Sequence, residues 1–181
     1  MVRVEVENIV LNISTSTPIV ILKDRQTGSI LPIVIGLFEA QAILLVLEKE
    51  EFPRPLTHDL LKSVIENMKG KLLRLEIHSL KGNTYYANLV IETQNGSQIK
   101  VDCRPSDGIA LALRASAPIF AAENLMESPD IVKYYTGKDT LDASVTDRPI
   151  NQKEVEEFRK YLEQLNARDF WKKLKEETQE S

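Results

Sequence analysis

The chain has 181 residues, of which 43% are hydrophobic and 28% are charged, and its formal net charge is −4 at pH 7. This balance is typical of a soluble globular protein with one main core, and it argues against a protein that coats nucleic acid through general basicity. The single cysteine, Cys103, excludes an intrachain disulfide framework and a cysteine-rich zinc site.

The sequence carries no signal for a membrane or for export. It has no run of about 18 apolar residues, and its start lacks a basic stretch followed by an apolar one. We therefore expect a cytoplasmic protein that does not associate with membranes.

The amino-terminal residues are predicted to form strands. Residues 2–7 alternate between apolar and charged types, as in a half-buried strand, and Asn8 breaks that phase, which indicates a bulge or bend. A hairpin follows, with strands at 19–22 and 30–35. Because Pro32 cannot donate a ladder hydrogen bond, we expect its strand to lie at a sheet edge or to be irregular there.

Two helices follow the hairpin. Residues 36–47 are apolar nearly all round, which predicts a helix buried on most sides, with Glu39 as its charged exception. Thr57 is predicted to cap a second helix, which ends at Gly70. One apolar stripe on that helix comprises Leu60, Leu61, Val64, Ile65 and Met68.

Three strands come next, and the parity of their apolar residues predicts how they pair. Matching the apolar faces puts Ile77 opposite Ala87 and Ile91 opposite Ile99. Three-residue loops then connect the strands, and the second of them contains a glycine that can adopt the left-handed conformation. These loops are residues 81–83 and 94–96.

The other face of these strands is polar. The same register aligns Glu76, Asn88 and Asp102 in one row and puts His78 opposite Tyr86. A solvated polar sheet face is the ordinary interpretation of such a row. The functional alternative is that its acids belong to a site.

Residues 101–114 run from a strand directly into a strongly apolar helix. Pro105 fits the first helical position, where no N–H is needed. The first N–H groups of such a helix carry the positive end of its dipole, which favours acids or bound anions. Further on, residues 117–121 predict a short strand and residues 123–126 a short helical turn.

The periodicity fades beyond residue 130. We therefore predict a domain at residues 1–130, a linker at 131–149 and a C-terminal helical hairpin at 150–181. Helices this short need a partner surface, so we expect them to pack on the domain or on another subunit, and we expect a homodimer. The predicted fold class is a single α+β domain with an antiparallel or mixed sheet, packed helices and that C-terminal helical pair.

Three segments of the sequence, residues 32–43, 54–61 and 102–114, resemble the sequence blocks of the bifunctional nuclease domain family. They occur in the family's order, and the resemblance covers residues 1–130. It implies an α+β domain that forms dimers and cleaves DNA and RNA, an activity ascribed to plant members. Gly108 stands where an alanine is expected.

The sequence lacks the motifs of several kinds of catalytic site, namely P-loops, dinucleotide folds, HExxH zincins and nucleophile elbows. Cys103 lies on the apolar parity of its strand, which favours a structural thiol over a nucleophile. A metal-assisted phosphodiesterase needs clustered carboxylates for Mg²⁺ or Mn²⁺ and a cation for the phosphate. The candidate metal ligands in the three blocks are Glu39, Asp59, Asp102 and Asp107.

The candidate catalytic residues are Asp102, Asp107, Arg104 as a phosphate clamp and His58 as an acid or base. Each has an ordinary alternative, because acids stabilise helix starts, arginines pair with neighbouring acids, and a histidine in a first turn is commonly a surface residue. We hypothesise a metal-dependent nuclease that hydrolyses phosphodiester bonds of DNA and RNA. The alternative is a noncatalytic dimeric regulatory or protein-interaction module, which the lack of a basic stripe with interleaved aromatic residues favours.

Overall fold

The computed structural model describes residues 1–12, 15, 17–50 and 52–132. The predicted helical hairpin and all but the first two residues of the predicted linker lie outside these ranges, so both stay predictions. No helix in the described ranges is long and apolar enough to cross a membrane.

The described chain contains seven strands and three α-helices. The strands are β1 (Val2–Leu11), β2 (Pro18–Lys23), β3 (Ile30–Val34), β4 (Lys71–Lys81), β5 (Thr84–Glu92), β6 (Gln98–Cys103) and β7 (Ile119–Ala121). The helices are α1 (Leu37–Leu47), α2 (Thr57–Asn67) and α3 (Pro105–Arg114), and two 3₁₀ turns cover Glu123–Leu125 and Pro129–Ile131.

One sheet contains all seven strands, in the order β3-β2-β1-β7-β4-β5-β6. β4 and β7 run parallel, whereas the other neighbouring strands are antiparallel. The mixed sheet, with its helices outside any regular βαβ repeat, confirms the predicted α+β class. The two edge strands among the described residues are β3 and β6.

The amino-terminal hairpin and its bulge follow the sequence prediction. The register of β1 against β2 shifts between Val6 and Asn8, and β2 pairs with β3 as expected. Pro32 lies in the edge strand β3. The N–H of Ile35 donates to the carbonyl of Pro18 at 2.9 Å. Because inward and outward groups alternate along an antiparallel strand, the proline nitrogen faces the side of β3 away from β2, where no ladder bond is lost.

A bulge in β4 makes one predicted pairing wrong. Ile77 lies opposite Ala87 as predicted, but the register shifts directly after it, so that Ser79 rather than His78 is opposite Tyr86. An extra residue on one strand moves every later pair by one position, and parity alone carries no signal for it.

The same shift shortens the predicted three-residue loop between β4 and β5. Lys81 pairs with Thr84, which leaves a two-residue connection. Both connecting residues, Gly82 and Asn83, have positive φ angles of 51° and 61°, as a type I′ hairpin turn requires. The loop after β5 contains Gly96 at φ 80°, as predicted.

The pairing of β5 with β6 agrees with the prediction. Ile91 lies opposite Ile99, and Asn88 lies opposite both Glu76 on β4 and Asp102 on β6. The predicted polar row is therefore real, and it crosses the face of three neighbouring strands.

The core lies between the sheet and the helices, where α3 packs over β4 and β5. Leu75, Ile109 and Leu111 are fully buried there. Gly108 makes the closest approach, because a Cβ at this position would overlap the side chain of Leu75 and lie 3.1 Å from the sulfur of Cys103. Glycine at position 108 therefore allows α3 to approach β4 more closely than alanine would.

The apolar stripe predicted on α2 is present but faces outward. Leu60, Leu61 and Val64 are exposed, and Met68 is 73% exposed. No residue of α2 is buried. Apolar side chains at this helical spacing normally face a core, so the stripe is an apolar patch on the surface of the described domain.

Gly108→Ala tests the close packing of α3. Alanine is the better helix former by about 1 kcal/mol, but adding a carbon to a packed core costs roughly 1–3 kcal/mol. We expect a net loss of about 1 kcal/mol in the free energy of unfolding, measured by urea denaturation. Leu75→Val removes the overlapping atoms, so the double variant should lose less than the sum of the two single variants. Additive losses would contradict the proposed overlap.

Candidate functional site

The first turn of α1 supplies Glu39. Gly36 is the N-cap residue and has no side chain to cap the helix. The carboxylate of Glu39 folds back against it, and a Cβ on Gly36 would collide with Oε2. Glycine at this position therefore allows the acid to lie over the helix start, where the dipole stabilises its charge.

The first turn of α2 is capped differently from the prediction. Helix α2 begins at Thr57, and the N-cap is Leu56, so the predicted capping by Thr57 is wrong. Asp59 reaches back instead, and its Oδ2 accepts a hydrogen bond from the N–H of Leu56 at 2.9 Å. In a capping box, the acid three positions after the N-cap accepts a hydrogen bond from the N-cap N–H. Asp59 makes this bond, although the N-cap residue here has no hydroxyl.

The first turn of α3 holds an arginine between two acids. Arg104 is the N-cap residue, and Pro105 follows at the first helical position, as predicted. The guanidinium donates to both oxygens of Asp107, from Nε at 2.7 Å and from Nη2 at 3.1 Å. Nη1 donates to Oε1 of Glu39 at 2.8 Å. One cation therefore links the starts of α1 and α3.

The charges in this group stabilise one another. Hydrogen bonds to Asp107 raise the pKa of Arg104 above its ordinary value. Burial raises the pKa of Asp107, but hydrogen bonds from Arg104 and His58 outweigh it, and the pKa lies below its ordinary value of 3.8. Asp107 is therefore ionised at neutral pH.

His58, in the first turn of α2, completes the group. Its Nε2 lies 3.4 Å from Oδ1 of Asp107. Glu39, His58, Arg104 and Asp107 are thus linked through a chain of polar contacts, although they come from three separate helix starts. We call these four residues the polar cluster.

A second arginine, Arg114, was not among the candidates from the sequence. Its side chain is only 7% exposed. Nε donates to Oδ1 of Asp59 at 2.7 Å, and Nη1 donates to the carbonyls of Ala42 and Ala110, each at 2.9 Å. This one side chain joins α1, α2 and α3. The only sequence signal for this role was a basic residue in the last turn of α3. Such residues are common at exposed helix ends, so the signal did not distinguish Arg114 from a surface arginine.

Arg114 also contributes to the low pKa of the Asp59 carboxyl group. Burial raises the pKa of Asp59, but the bonds from Leu56 and Arg114 outweigh it, and the pKa lies below its ordinary value of 3.8. The acid is therefore engaged in holding helices together.

The polar cluster lines an open cavity of about 680 Å³. Charged groups occupy one part of the lining, and apolar side chains occupy the rest, including the exposed rings of Phe38 and Phe52. The charged and polar lining residues are Glu39, Gln41, Thr57, His58, Arg104, Asp107 and Arg114. The cavity thus combines two arginines, two carboxylates and an imidazole with apolar walls.

Asp102 is not brought together with the polar cluster. It lies on β6, exposed, and does not line the cavity. The next residue, Cys103, faces α3, so Asp102 projects from the opposite face of the strand. Its row neighbour Glu76 accepts hydrogen bonds from Arg74 and Lys100, each at 2.7 Å. Glu76 is therefore paired with two cations, and the polar row lies on the face of the sheet away from the cavity.

Cys103 has the environment of a structural thiol. Burial is the main cause that raises its pKa to about 11, with smaller contributions from the negative charges of Asp102 and Asp107. A thiol with this pKa is protonated at neutral pH, and so it is a poor nucleophile.

The carboxylates do not form a ready metal site. Among the described residues, no group of three or more His, Cys, Asp or Glu side chains is arranged to hold a metal ion. Glu39 and Asp107 share Arg104 as their cation, and Asp59 is bound to Arg114. The binding of Mg²⁺ or Mn²⁺ by Glu39, Asp59, Asp102 and Asp107 stays a prediction.

The sequence that forms this cavity matches a known protein family. A family model described as the bifunctional nuclease domain matches residues 20–133, which is more than half of the chain. The chain belongs to this family. The match includes the three α-helices of the described residues and every member of the polar cluster.

Relatives of this family member occur in bacteria and plants. An uncharacterized protein of Mycobacterium tuberculosis is 35% identical over 153 residues, which cover 84% of this chain and 88% of the relative. Bifunctional nuclease 1 of Oryza sativa subsp. japonica is 26% identical over 163 residues, covering 82% of this chain and 49% of the relative. Bifunctional nuclease 1 of Arabidopsis thaliana is 25% identical over 133 residues, covering 72% and 41%. This family member therefore spans about half the length of these plant proteins.

Arg114→Ala tests whether the buried arginine holds the three helices together. The change leaves Asp59 without its cation and removes the side-chain hydrogen bond from each of two helical carbonyls, so we expect a loss of about 3 kcal/mol in the free energy of unfolding. Arg104→Ala is the matched control, because the Arg104 side chain is 64% exposed. It should cost less than about 1 kcal/mol. Urea denaturation of both variants makes the comparison, and equal losses would contradict the assignment.

Acidification tests the ionised carboxyl groups. The folded pKa values of Asp59 and Asp107 lie below 3.8, so the unfolded chain takes up protons first as the pH falls. Their contribution to stability is present above about pH 4 and is lost as the pH falls through the folded pKa values. We expect the urea midpoint to drop as the pH falls below about 4 and to drop less in Asp107→Asn, whose amide does not titrate in this range. An equal drop in the variant would contradict this.

Proposed function

We propose that this member of the family hydrolyses phosphodiester bonds of DNA and RNA at the polar cluster. The observation that supports the proposal most is that one cavity collects a residue from each of the three blocks. Glu39 comes from the first block, His58 from the second, and Arg104 and Asp107 from the third. A reaction site is usually built from residues that are distant in sequence and meet in one open cavity.

Arg104 is suited to bind a phosphate group. A guanidinium has five N–H donors, of which three are engaged here by Glu39 and Asp107. The remaining two belong to Nη1 and Nη2, and the side chain is mostly exposed. The two carboxylates fix the plane of the guanidinium, which would present the remaining donors to two phosphate oxygens in a bidentate contact.

His58 is suited to move a proton. If Nε2 carries the hydrogen toward Asp107, then Nδ1 is an acceptor that can take a proton from water. Asp107 fixes the tautomer and stabilises the imidazolium that forms, as carboxylates do in other histidine-based sites. We propose His58 as the general base and Asp107 as its positioning residue.

The charge of the cavity limits how phosphate can bind. Two arginines and two carboxylates line it, so their charges cancel while His58 is neutral. A phosphodiester then needs further positive charge, either from protonation of His58 or from a divalent cation that shares Glu39 and Asp107 with Arg104. We propose the divalent cation, Mg²⁺ or Mn²⁺, which would neutralise charge on the reacting phosphate.

The test is cleavage of fluorescently labelled single-stranded RNA and DNA by the full chain. We expect cleavage with Mg²⁺ or Mn²⁺ and none in EDTA. Arg104→Ala and His58→Ala should each lower the rate by roughly 100-fold, because each removes a group that contacts the substrate or the attacking water.

Matched controls come from a second arginine–glutamate pair. Arg25 donates from Nε to Glu5 at 3.2 Å, and both residues are exposed and lie outside the cavity. Arg25→Ala should cleave like the wild type. Asp102→Asn distinguishes the sequence prediction from the polar cluster, because a loss of cleavage would extend the site to β6. Absence of cleavage by the pure wild type, or equal rates in Arg104→Ala and Arg25→Ala, would overturn the nuclease proposal.

A noncatalytic dimeric regulatory or protein-interaction module is the second candidate function. The observation in its favour is the exposed apolar stripe of α2, which is typical of a surface that binds another protein. Formation of a homodimer is compatible with both candidates.

A further inference from the structure

The outer edge of β6 is open. Within the part of the chain that the structure describes, β6 pairs with β5 alone. Residues 98–102 are exposed, and the large apolar side chains of Ile99 and Val101 are 45% and 41% exposed. An open edge with apolar side chains is a template for pairing with another strand.

The hydrogen-bonding pattern identifies which groups face that edge. The N–H of Thr93 donates to the carbonyl of Ser97 at 2.8 Å at the start of the β5–β6 ladder. Hydrogen-bonded pairs recur at every second position of an antiparallel ladder, so 99, 101 and 103 direct their N–H and C=O groups toward β5. Gln98, Lys100 and Asp102 therefore direct theirs outward, away from the sheet.

The opposite edge of the sheet is closed. On β3 the outward positions are Ile30, Pro32 and Val34. Ile30 exchanges two hydrogen bonds with Glu127, at 2.9 and 2.7 Å. Pro32 has no N–H, and its carbonyl accepts from the hydroxyl of Tyr85 at 3.5 Å. Among the described residues, β3 is protected against edge pairing and β6 is not, which is the asymmetry expected of an edge that has a partner.

The charges on β6 favour antiparallel pairing with a second copy of β6, and they favour one register of that pairing. A two-fold axis at Lys100 would put that lysine opposite itself. An axis at Asp102 would put that aspartate opposite itself and Lys100 opposite Arg104. An axis at Val101 puts Lys100 opposite Asp102 twice, which gives two cross-strand ion pairs.

We propose that β6 is a homodimer interface in which two copies pair antiparallel around a two-fold axis at Val101. In this register Lys100 and Asp102 exchange four backbone hydrogen bonds with their counterparts, and both residues have outward groups. Val101 packs on its counterpart, and Ile99 packs on Cys103. Because α3 packs over β4 and β5, the apolar face of β6 is left accessible at the edge. This inference is independent of the proposed nuclease function.

Charge reversal tests the register in the full chain. We expect the wild type to sediment as a dimer at micromolar concentration. Lys100→Asp and Asp102→Lys each put like charges opposite one another twice, so each should weaken dimerisation by at least about tenfold. The double variant restores opposite charges in this register and should recover the dimer. Because Lys100 also binds Glu76, unfolding of each variant is measured in parallel. A monomeric wild type, unaffected single variants or an unrescued double variant would overturn the proposal.

Disulfide formation tests the position of the axis independently. Val101 would face its counterpart at a non-hydrogen-bonded pair, where the Cα atoms are about 4.5 Å apart and a disulfide can form. In a Cys103→Ala background, Val101→Cys should give a covalent dimer on mild oxidation. Val34→Cys is the matched control, since it is exposed on the closed edge strand β3. Equal cross-linking of the two variants, or none in Val101→Cys, would overturn the proposed axis.

Discussion

The arrangement of the three helices depends on the contacts of one buried cation. Arg114 is the last residue of α3, and it donates hydrogen bonds to Asp59 of α2 and to a backbone carbonyl of α1. It therefore connects three helices that are far apart in the sequence. A buried guanidinium has a large desolvation cost unless its donors are satisfied, and this requirement makes the helix positions interdependent. The starts of α1, α2 and α3 converge beside this contact, since Arg114 lines the same cavity as the polar cluster.

The polar cluster is a set of coupled charges held in position by hydrogen bonds. Arg104 fixes the carboxylates of Glu39 and Asp107, and Asp107 in turn contacts His58. Groups held in this way need little reorganisation when a substrate binds, which is the main electrostatic advantage of a folded site. The same pairing uses up the negative charge that a metal ion would need. Any cation that joins the cluster must therefore compete with an arginine that is already in place.

Much of the fold could be predicted from the sequence, because parity and turn residues act locally. The pairing of Ile77 with Ala87 and the turn at Gly96 are examples. The pairing of Tyr86 was mispredicted because a bulge has no parity signal. Of the predicted site, the four residues of the polar cluster converge, whereas Asp59 pairs with Arg114 and Asp102 lies on the opposite face of β6. The apolar parity of Cys103 already indicated that direction for Asp102. Arg114 was missed because its partner Asp59 is 55 positions away along the chain.

The closed edge at β3 has a consequence for assembly. A sheet with two open edges can add copies on both sides, and its growth has no natural end. Here Glu127 and Pro32 remove the pairing capacity of one side. Association through the remaining side therefore stops at a finite size. A single buried proline in the edge strand, together with one short bridge, separates a chain that can join a discrete complex from one that could extend into a fibre.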